Sequence, residues 1–295
     1  VPALAETTGI TEWLGKAMGT PLEGSELNVG KSWTFICAGV ASLLLAGLSL
    51  ALPHTPPRKN VEAGSKLAWV ETFRVLFRHP FLMVLFLVTA IDATVHDGFF
   101  FFAFSYIGTV GVAQNWVQAA MTVGQLAEIG TMIFLSFVLT RLGWRYTMAI
   151  GVFGHAARFL IWAGIFNSAG ESWVPWVAVG ANVIHGICYA FFFATLYIFV
   201  DKVFPKDART SAQGLFNLLV FGVGPMLSRY VWRDLAARYT TTETVDGAQV
   251  ITTQYDVLLL YPAGAAAIGA LLILLLFHPP KSVSVEGDSP AAAPH

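Results

Sequence analysis

Charged residues are scarce in this sequence, since Asp, Glu, Lys and Arg together make up 12% of its 295 residues. Soluble domains carry about 25% charged residues, so an ordinary soluble enzyme or binding domain is excluded. Hydrophobic residues make up 56%, and the mean hydropathy is +0.64. The 17 basic and 18 acidic residues create no basic field that would attract nucleic acid. The composition predicts an all-α membrane protein.

Cysteine and the common catalytic motifs are also rare or absent. The two cysteines, Cys37 and Cys188, both lie in apolar runs, so we interpret them as small buried hydrophobic residues. No metalloprotease, nucleophile-elbow, phosphate-loop or paired-cysteine pattern occurs, and we therefore predict no enzymatic activity, no metal and no cofactor. The sequence starts at Val1 without a secretory leader, so we expect it to be part of a longer protein.

Seven apolar stretches are each long enough to cross a bilayer, since a spanning helix needs about 20 mostly apolar residues. The predicted helices, A to G, cover residues 33–53, 79–106, 116–139, 146–167, 173–200, 211–231 and 257–278. A long basic loop at 54–78 separates helix A from a block of six. We predict that this loop is the boundary between two domains, and that 79–278 forms a six-helix transmembrane half.

Basic residues predict the orientation, because Lys and Arg collect in cytoplasmic loops. Eleven of them fall in the A–B, C–D and E–F connections and after helix G, and five fall on the other side. We therefore predict a central cytoplasmic loop at 54–78, a disordered cytoplasmic tail at 279–295 and an extracytoplasmic segment at 1–32. The three arginines between helices F and G run against this rule.

Ionisable and amide side chains interrupt four of the helices, where each charge costs about 2.5–3.5 kcal/mol on insertion and therefore faces a cavity or a partner. They are Asp92, His96 and Asp97 on B, Gln125 and Glu128 on C, His155 and Arg158 on D, and His185 and Tyr189 on E. One residue on each helix lies about 18 Å from its start at 1.5 Å per residue. This level is the membrane midplane, where secondary transporters bind substrate and coupling ions.

Purely structural roles are the alternative for several of these residues. A buried Glu128–Arg158 ion pair would stabilise packing alone. A single histidine such as His185 on an apolar face is more often a hydrogen-bonded core residue than a functional one, and Asp97 would hydrogen-bond locally. Gln125 and Glu128 are the strongest functional pair, because an amide offers directional donors and acceptors and a carboxylate accepts hydroxyl donors or carries a proton.

Six short motifs follow one another along residues 33–278. They are Leu52-Pro53-His54, Gln125-x-x-Glu128, Leu139-Thr140-Arg141-Leu142-Gly143, Arg158-Phe159, Phe199-Val200-Asp201-Lys202 and Arg209-x-Ser211-Ala212-Gln213-Gly214. In this order and spacing they resemble the nucleoside:proton symporter family of the major facilitator superfamily. The resemblance implies a twelve-helix transporter in which helix A is the sixth helix and 79–278 the second half. It also implies a missing N-terminal half of the same transporter as partner.

The resemblance further implies roles for individual residues. Gln125 and Glu128 match positions that hydrogen-bond the nucleoside, and three others fall on polar or aromatic positions of the seventh and tenth helices. The implied substrate-binding set is Gln125, Glu128, His96, Tyr189 and His185. The candidates for proton coupling are Glu128, Asp92 and Asp97. Two positions depart from the family, since Ala190 replaces an acid and Phe99 replaces an asparagine.

The C–D turn resembles the loop motif R-x-G-x-R of the superfamily. The resemblance implies structural or gating roles for Arg141, Gly143 and Arg145 there, and for Arg158 inside helix D. Thr140 replaces the usual aspartate of the motif, which weakens the expected charge clamp between helices.

The predicted function is proton-coupled uptake of nucleosides across the bacterial inner membrane by alternating access. Its partners would be a nucleoside, a proton and the lipid bilayer, with no nucleic acid. Two alternatives stay open. Symport of another small polar solute, such as a sugar, is favoured by Ala190 and Phe99. A membrane sensor or scaffold that does not transport would bind a ligand or a partner without flux.

Overall fold

The computed structural model describes residues 24–53, 68–205, 208–245 and 248–280, which are helical apart from one hairpin and short turns. The helices are α1 (Gly24–Leu50), α2 (Ala68–Arg78), α3 (Pro80–Thr109), α4 (Val117–Phe166), α5 (Val174–Val203), α6 (Arg209–Arg238) and α7 (Tyr255–Leu276). Strands β1 (Thr240–Val245) and β2 (Ala248–Thr253) form an antiparallel hairpin between α6 and α7. Most of the predicted outer segment, central loop and tail lies outside the described residues.

Seven membrane-spanning segments are present in the described part of the chain. Six helices are long and apolar enough to cross a membrane. One of them, α4, has 50 residues, about 75 Å of helix, where a bilayer core needs about 30 Å. At Gly143 the backbone leaves the helical conformation, with φ 73° and ψ 176°, and divides α4 into two arms, 117–142 and 144–166. The predicted all-α membrane fold is confirmed.

The structure differs from the sequence prediction where helices extend past their apolar sections. α1 begins at Gly24 rather than at 33, and α6 ends at Arg238 rather than at 231. A search for charge-free runs detects only the section of a helix that lies in the hydrocarbon of the bilayer. Helical turns that extend into the membrane–water interface are therefore missed. For the same reason the predicted C–D turn at 140–145 is helical except at Gly143.

Part of the predicted loop at 54–78 is the helix α2, which packs on the start of α6. The hydroxyl of Thr72 donates to the carbonyl of Ala208 at 3.4 Å, and Leu76 is buried beside it. Trp69 and Phe77 of α2 are exposed. The single buried stripe of this short helix is broken by polar residues, so a search for long apolar runs does not find it.

Two large apolar clusters form most of the core, towards opposite ends of the helices from α3 to α7. At one end the ring of Tyr106 stacks on Trp162 with centroids 4.7 Å apart, and its hydroxyl donates to the carbonyl of Trp162 at 2.7 Å. At the other end Phe199 packs edge-on against Phe81 and Phe277. The buried polar residues of α3, α4 and α5 lie between these two clusters.

The helix α1 stands apart from this core. None of the apolar segment of its span Asn28–Leu50 is buried against the rest of the described structure. Cys37 on α1 is therefore exposed, which contradicts its prediction as a buried residue, whereas Cys188 on α5 is buried as expected. An apolar helix with no described neighbour leaves its whole surface available to lipid or to another part of the protein.

Candidate functional site

A buried polar cluster lies between α3, the second arm of α4 and α5, with Arg158 at its centre. Arg158 is fully buried; its Nη1 donates to Nδ1 of His185 at 2.9 Å, and its Nη2 donates to Nδ1 of His155 at 3.1 Å. A guanidinium only donates hydrogen bonds, so both Nδ1 atoms must accept. Each imidazole in this arrangement therefore carries its hydrogen on Nε2.

Asp92 completes the cluster from α3. Its Oδ2 lies 3.7 Å from Nε2 of His155, and both side chains are fully buried. Within the described ranges, neither carboxyl oxygen of Asp92 has a hydrogen-bond partner. Nε2 of His155 has none there either. The carboxyl group and Arg158 are thus linked through one imidazole without touching each other.

Phe99 supplies an aromatic surface beneath Arg158. The guanidinium carbon lies 3.8 Å from the centroid of the Phe99 ring, and the ring of His185 lies 4.8 Å from the same centroid. A desolvated cation over an aromatic face is stabilised by about 2 kcal/mol. Sequence reasoning did not assign this role to Phe99, and the only signal was its spacing from His96 on α3.

His96 connects the buried cluster with the surface of the helical bundle. Its ring stacks on His185 with centroids 5.0 Å apart and an interplanar angle of 19°. It also lies 6.1 Å from the ring of Tyr189, and both residues are partly exposed whereas His185 is buried. The structure thus brings together three of the five substrate-binding residues predicted from the sequence.

Gln125 and Glu128, the other two predicted substrate residues, lie on the first arm of α4. Gln125 is exposed and Glu128 partly exposed. The arm packs closely on α5, since a Cβ at Gly186 would collide with the backbone of Ala127 and Glu128. The Glu128 carboxyl group also interacts electrostatically with the hydroxyl of Tyr189. Both predicted residues therefore lie next to the α5 residues of the site.

Five polar residues form a partly open surface beside the cluster, which we name the polar face. Its members are Gln125, Glu128, Tyr189, Tyr197 and Asn217. The Tyr197 hydroxyl donates to Oδ1 of Asn217 at 2.6 Å and links α5 to α6. Sequence reasoning missed these last two residues, although tyrosines eight positions apart on α5 were a usable signal. Polar groups facing lipid are costly, so this face requires a cavity or a protein partner.

One sequence-based interpretation is contradicted by the geometry. The Glu128–Arg158 ion pair is not formed, because the outer nitrogens of Arg158 bind the two histidines and Glu128 lies on the polar face. Asp97 is partly exposed and forms no ion pair within the described part of the chain. It lies about 140° around α3 from Asp92, since successive helical residues turn by about 100°.

Arg141, Gly143 and Arg145 lie where the two arms of α4 meet. The Arg141 guanidinium lies 5.2 Å from the Phe137 ring centroid, and that of Arg145 lies 4.8 Å from the Tyr146 ring centroid. Among the described residues neither arginine has an ion-pair partner. The Thr140 hydroxyl donates within its own helix, to the carbonyl of Ser136 at 3.0 Å.

The fold and this polar layer define a class of protein. Seven spanning segments make the chain an integral multi-pass membrane protein, and polar side chains from three helices converge between its two apolar clusters. Binding groups placed midway along the spanning helices are typical of secondary transporters. No group of three metal-ligating side chains suited to a metal ion occurs in the residues that the structure describes.

Comparison with known proteins identifies the family. Residues 20–282 match the sequence model of the family described as Nucleoside H+ symporter. The chain therefore belongs to the nucleoside H+ symporter family, and the resemblance inferred from its motifs is confirmed.

Three similar proteins illustrate the match. YegT of Escherichia coli (strain K12), a proposed nucleoside transporter, is 30% identical over 245 residues, which are 82% of this chain and 55% of YegT. The xanthosine permease of the same organism is 27% identical over 233 residues, or 74% of this chain and 53% of the permease. A crystal structure of a variant of the nucleoside transporter NupG superposes with a TM-score of 0.63 at 22% identity, covering 80% of this chain and 58% of that one. The chain thus spans about half the length of these relatives.

Proposed function

We propose that the protein containing this chain takes up nucleosides together with protons by alternating access. In this proposal the chain supplies the second six-helix half and the sixth helix of a major facilitator transporter. Membership of the nucleoside H+ symporter family supports the activity. The observation that carries the assignment to this chain is the polar face, which lies beside a buried Arg158–histidine cluster.

The substrate is proposed to bind at the polar face. The Gln125 amide and the Glu128 carboxylate offer both donors and acceptors for the base edge and the ribose hydroxyls of a nucleoside. Tyr189 packs against the planar base, as aromatic rings do on nucleobases. His96 adds a polar edge next to Tyr189, and His185 supports His96 from behind through the stacked contact.

The proton is proposed to bind at one of three carboxyl groups, those of Glu128, Asp92 and Asp97. Arg158 would hold the cluster together, and Arg141, Gly143 and Arg145 would act at the cytoplasmic gate where the two arms of α4 meet. The two halves of the transporter would then rock about the midplane site.

The five helices that would complete the first half of the transporter are proposed as the partner of this chain. Their place would be over the polar face and along α1, whose apolar span is unburied within the described structure. Co-purification of separately expressed halves, with tags on each, tests this arrangement. Recovery of the chain in a stable form without the first half would contradict it.

The protein is proposed to lie in the bacterial inner membrane with its C-terminus in the cytoplasm. The basis is the excess of basic residues in the connections on that side. Fusions of alkaline phosphatase and of green fluorescent protein to the C-terminus test the orientation. We expect fluorescence without phosphatase activity, and the reverse result would invert the topology.

The deciding experiment is uptake of labelled uridine or adenosine by the full-length protein in vesicles, with and without a pH gradient. We expect gradient-dependent uptake that falls strongly in Gln125→Ala and Glu128→Gln. Gln118→Ala, at an exposed position on the same arm of α4, and Glu243→Gln, on the exposed hairpin, are the matched controls. Unchanged uptake in the first two variants would show that the substrate binds elsewhere.

Another small polar solute is the second candidate substrate, and Ala190 and Phe99 favour it because both positions depart from the family pattern. Competition of the labelled nucleoside by unlabelled sugars and other solutes separates the two. Ligand binding without flux would instead indicate a sensor or scaffold. Recovery of the nucleoside chemically unchanged after uptake would argue against enzymatic turnover.

A further inference from the structure

Asp92 and His155 form a buried pair whose facing atoms make no hydrogen bond within the described ranges. Both are fully buried, and Oδ2 of Asp92 faces Nε2 of His155 at 3.7 Å. Both carboxyl oxygens and this nitrogen lack hydrogen-bond partners in the described ranges. Buried polar groups without partners are rare in native structures and call for an explanation.

Of the three candidate carboxyl groups, only that of Asp92 is connected to the buried cation. Glu128 lies on the polar face and is partly exposed, and Asp97 lies on another side of α3. Asp92 reaches Arg158 through His155, which accepts from Arg158 at Nδ1 and faces Asp92 with Nε2.

A proton that binds this pair changes the rest of the cluster when its hydrogen is shared with His155 or placed on it. When a proton from the medium adds to the Asp92 carboxylate, the resulting carboxylic acid gains an O–H donor. Nε2 of His155 accepts this hydrogen bond only after the imidazole hydrogen has moved to Nδ1. Nδ1 then no longer accepts from Arg158. Placing the proton on His155 has the same effect, because both ring nitrogens would then carry hydrogens.

Arg158 connects this pair with the polar face. Its second bond goes to His185, which stacks on His96, and His96 contacts Tyr189. When Arg158 loses His155, its guanidinium is held by His185 and by the Phe99 ring. Any shift of the guanidinium therefore displaces the imidazole that supports His96.

We propose that Asp92 and His155 together form the proton-binding site of the symporter, and that Arg158 transmits its occupancy to the polar face through His185. The proposal deepens the proposed function, on which it rests, by naming where the coupling proton binds.

Few other titratable groups face this pair from the surrounding helices. α3 contributes His96, the second arm of α4 contributes Arg158, and α5 contributes His185 and Cys188. α6 and α7 approach through Gly224, which lies against Ala93, and Gly269, which lies against Val88 and Val152. Arg158 is the permanent charge that faces the pair within the described structure.

Accumulation driven by a pH gradient tests the proposal on the full-length protein in vesicles. With a gradient of about one unit, a one-proton symporter accumulates a solute about tenfold, because one pH unit is tenfold in an equilibrium constant. We expect wild type to approach this ratio. Asp92→Asn and His155→Gln should only equilibrate labelled uridine, while still exchanging it for unlabelled uridine, since exchange needs no net proton flux.

Matched controls separate this effect from a general loss of charge. Asp234→Asn removes an exposed carboxylate that is paired with Arg238 at 2.7 Å, and it should accumulate uridine like wild type. Arg158→Lys keeps the charge but loses the fork that binds two imidazoles, so it should lose accumulation. Accumulation at the wild-type ratio by Asp92→Asn or His155→Gln would overturn the proposal.

Infrared difference spectroscopy on purified protein decides the same point without any variant at Asp92. Acidification should produce a protonated-carboxyl band that shifts when uridine is added, and the band should persist in Glu128→Gln and in Asp97→Asn. Its disappearance in either variant would assign the proton to that residue and overturn the proposal. Absence of uridine transport in wild type would refute the proposed function, whereas the acid-induced band would still locate the proton site.

Discussion

The guanidinium of Arg158 lies 3.8 Å from the ring centroid of Phe99 in the middle of the helical bundle. Two imidazoles accept hydrogen bonds from it, so an aromatic face and neutral acceptors stabilise the charge, and among the described residues no carboxylate forms an ion pair with it. An intramembrane arginine is costly unless it is paired or solvated. Phe99 therefore contributes to stabilising the buried guanidinium in this position.

Replacing Phe99 with leucine should destabilise the protein by about 2 kcal/mol, because the aromatic face under a desolvated cation is lost. Thermal and denaturant unfolding in detergent measure the change. Phe153→Leu is the matched control, since Phe153 lies on α4 with 55% of its surface exposed. Equal effects of the two substitutions would mean that the ring contributes only apolar area.

Gly186 determines how closely α5 approaches the first arm of α4. Gly186→Ala should cost about 2 kcal/mol or more, because its Cβ would collide with the backbone of Ala127 and Glu128 and backbone cannot move aside like a side chain. Unfolding in detergent gives the stability, and uridine uptake reports the displaced polar face. Gly164→Ala, where an added Cβ meets nothing within 4 Å, should be harmless. A stable and active Gly186→Ala protein would contradict this packing.

The level of the polar residues in the membrane could be predicted from the sequence, whereas their pairing could not. Counting residues from each helix start at a fixed rise placed Asp92, Arg158 and His185 at one depth, and they do form one cluster. The rotation of each helix about its axis depends on packing, which no single helix encodes. Glu128 was therefore paired with Arg158, although the two arms of α4 turn these residues to different surroundings.

Irregular helical backbone explains a second failure of prediction. α5 is π-helical over Tyr189–Ala194 and α6 over Leu218–Val223. Each wide turn shifts the helical register, so a regular spacing of 3.6 residues no longer predicts which side chains share a face. Tyr197 lies just after the π-helical stretch of α5 and Asn217 directly before that of α6, and regular spacing did not predict their contact. Gly143 is a different case. Its motif was recognised, but the whole segment 140–145 was expected to be a turn, whereas only Gly143 leaves the helical conformation.

Gly143 should be essential for the folding of α4. Its φ of 73° with ψ of 176° lies in a region that is nearly restricted to glycine, so Gly143→Ala should cost about 1–3 kcal/mol. Expression level and melting temperature measure the loss. Gly130→Ala on the first arm is the control, because Gly130 is helical and an added Cβ there meets nothing within 4 Å. If Gly143→Ala melts like the control, the break in α4 does not depend on this backbone conformation.

The hydrogen bond between Tyr197 and Asn217 should affect transport more than stability. The hydroxyl donates to Oδ1 at 2.6 Å between two residues that are at least partly exposed, so its loss in Tyr197→Phe should cost about 0.5–1.5 kcal/mol. If the polar face binds the solute, the same change should raise the KM for uridine several-fold, because it frees the Asn217 amide at the edge of the site.

Tyr230→Phe is the control, since Tyr230 lies on α6 with 64% of its surface exposed. A double-mutant cycle with Asn217→Ala should show a coupling of about 1 kcal/mol between the two side chains. Identical KM values for Tyr197→Phe and Tyr230→Phe would place the solute away from this end of the polar face.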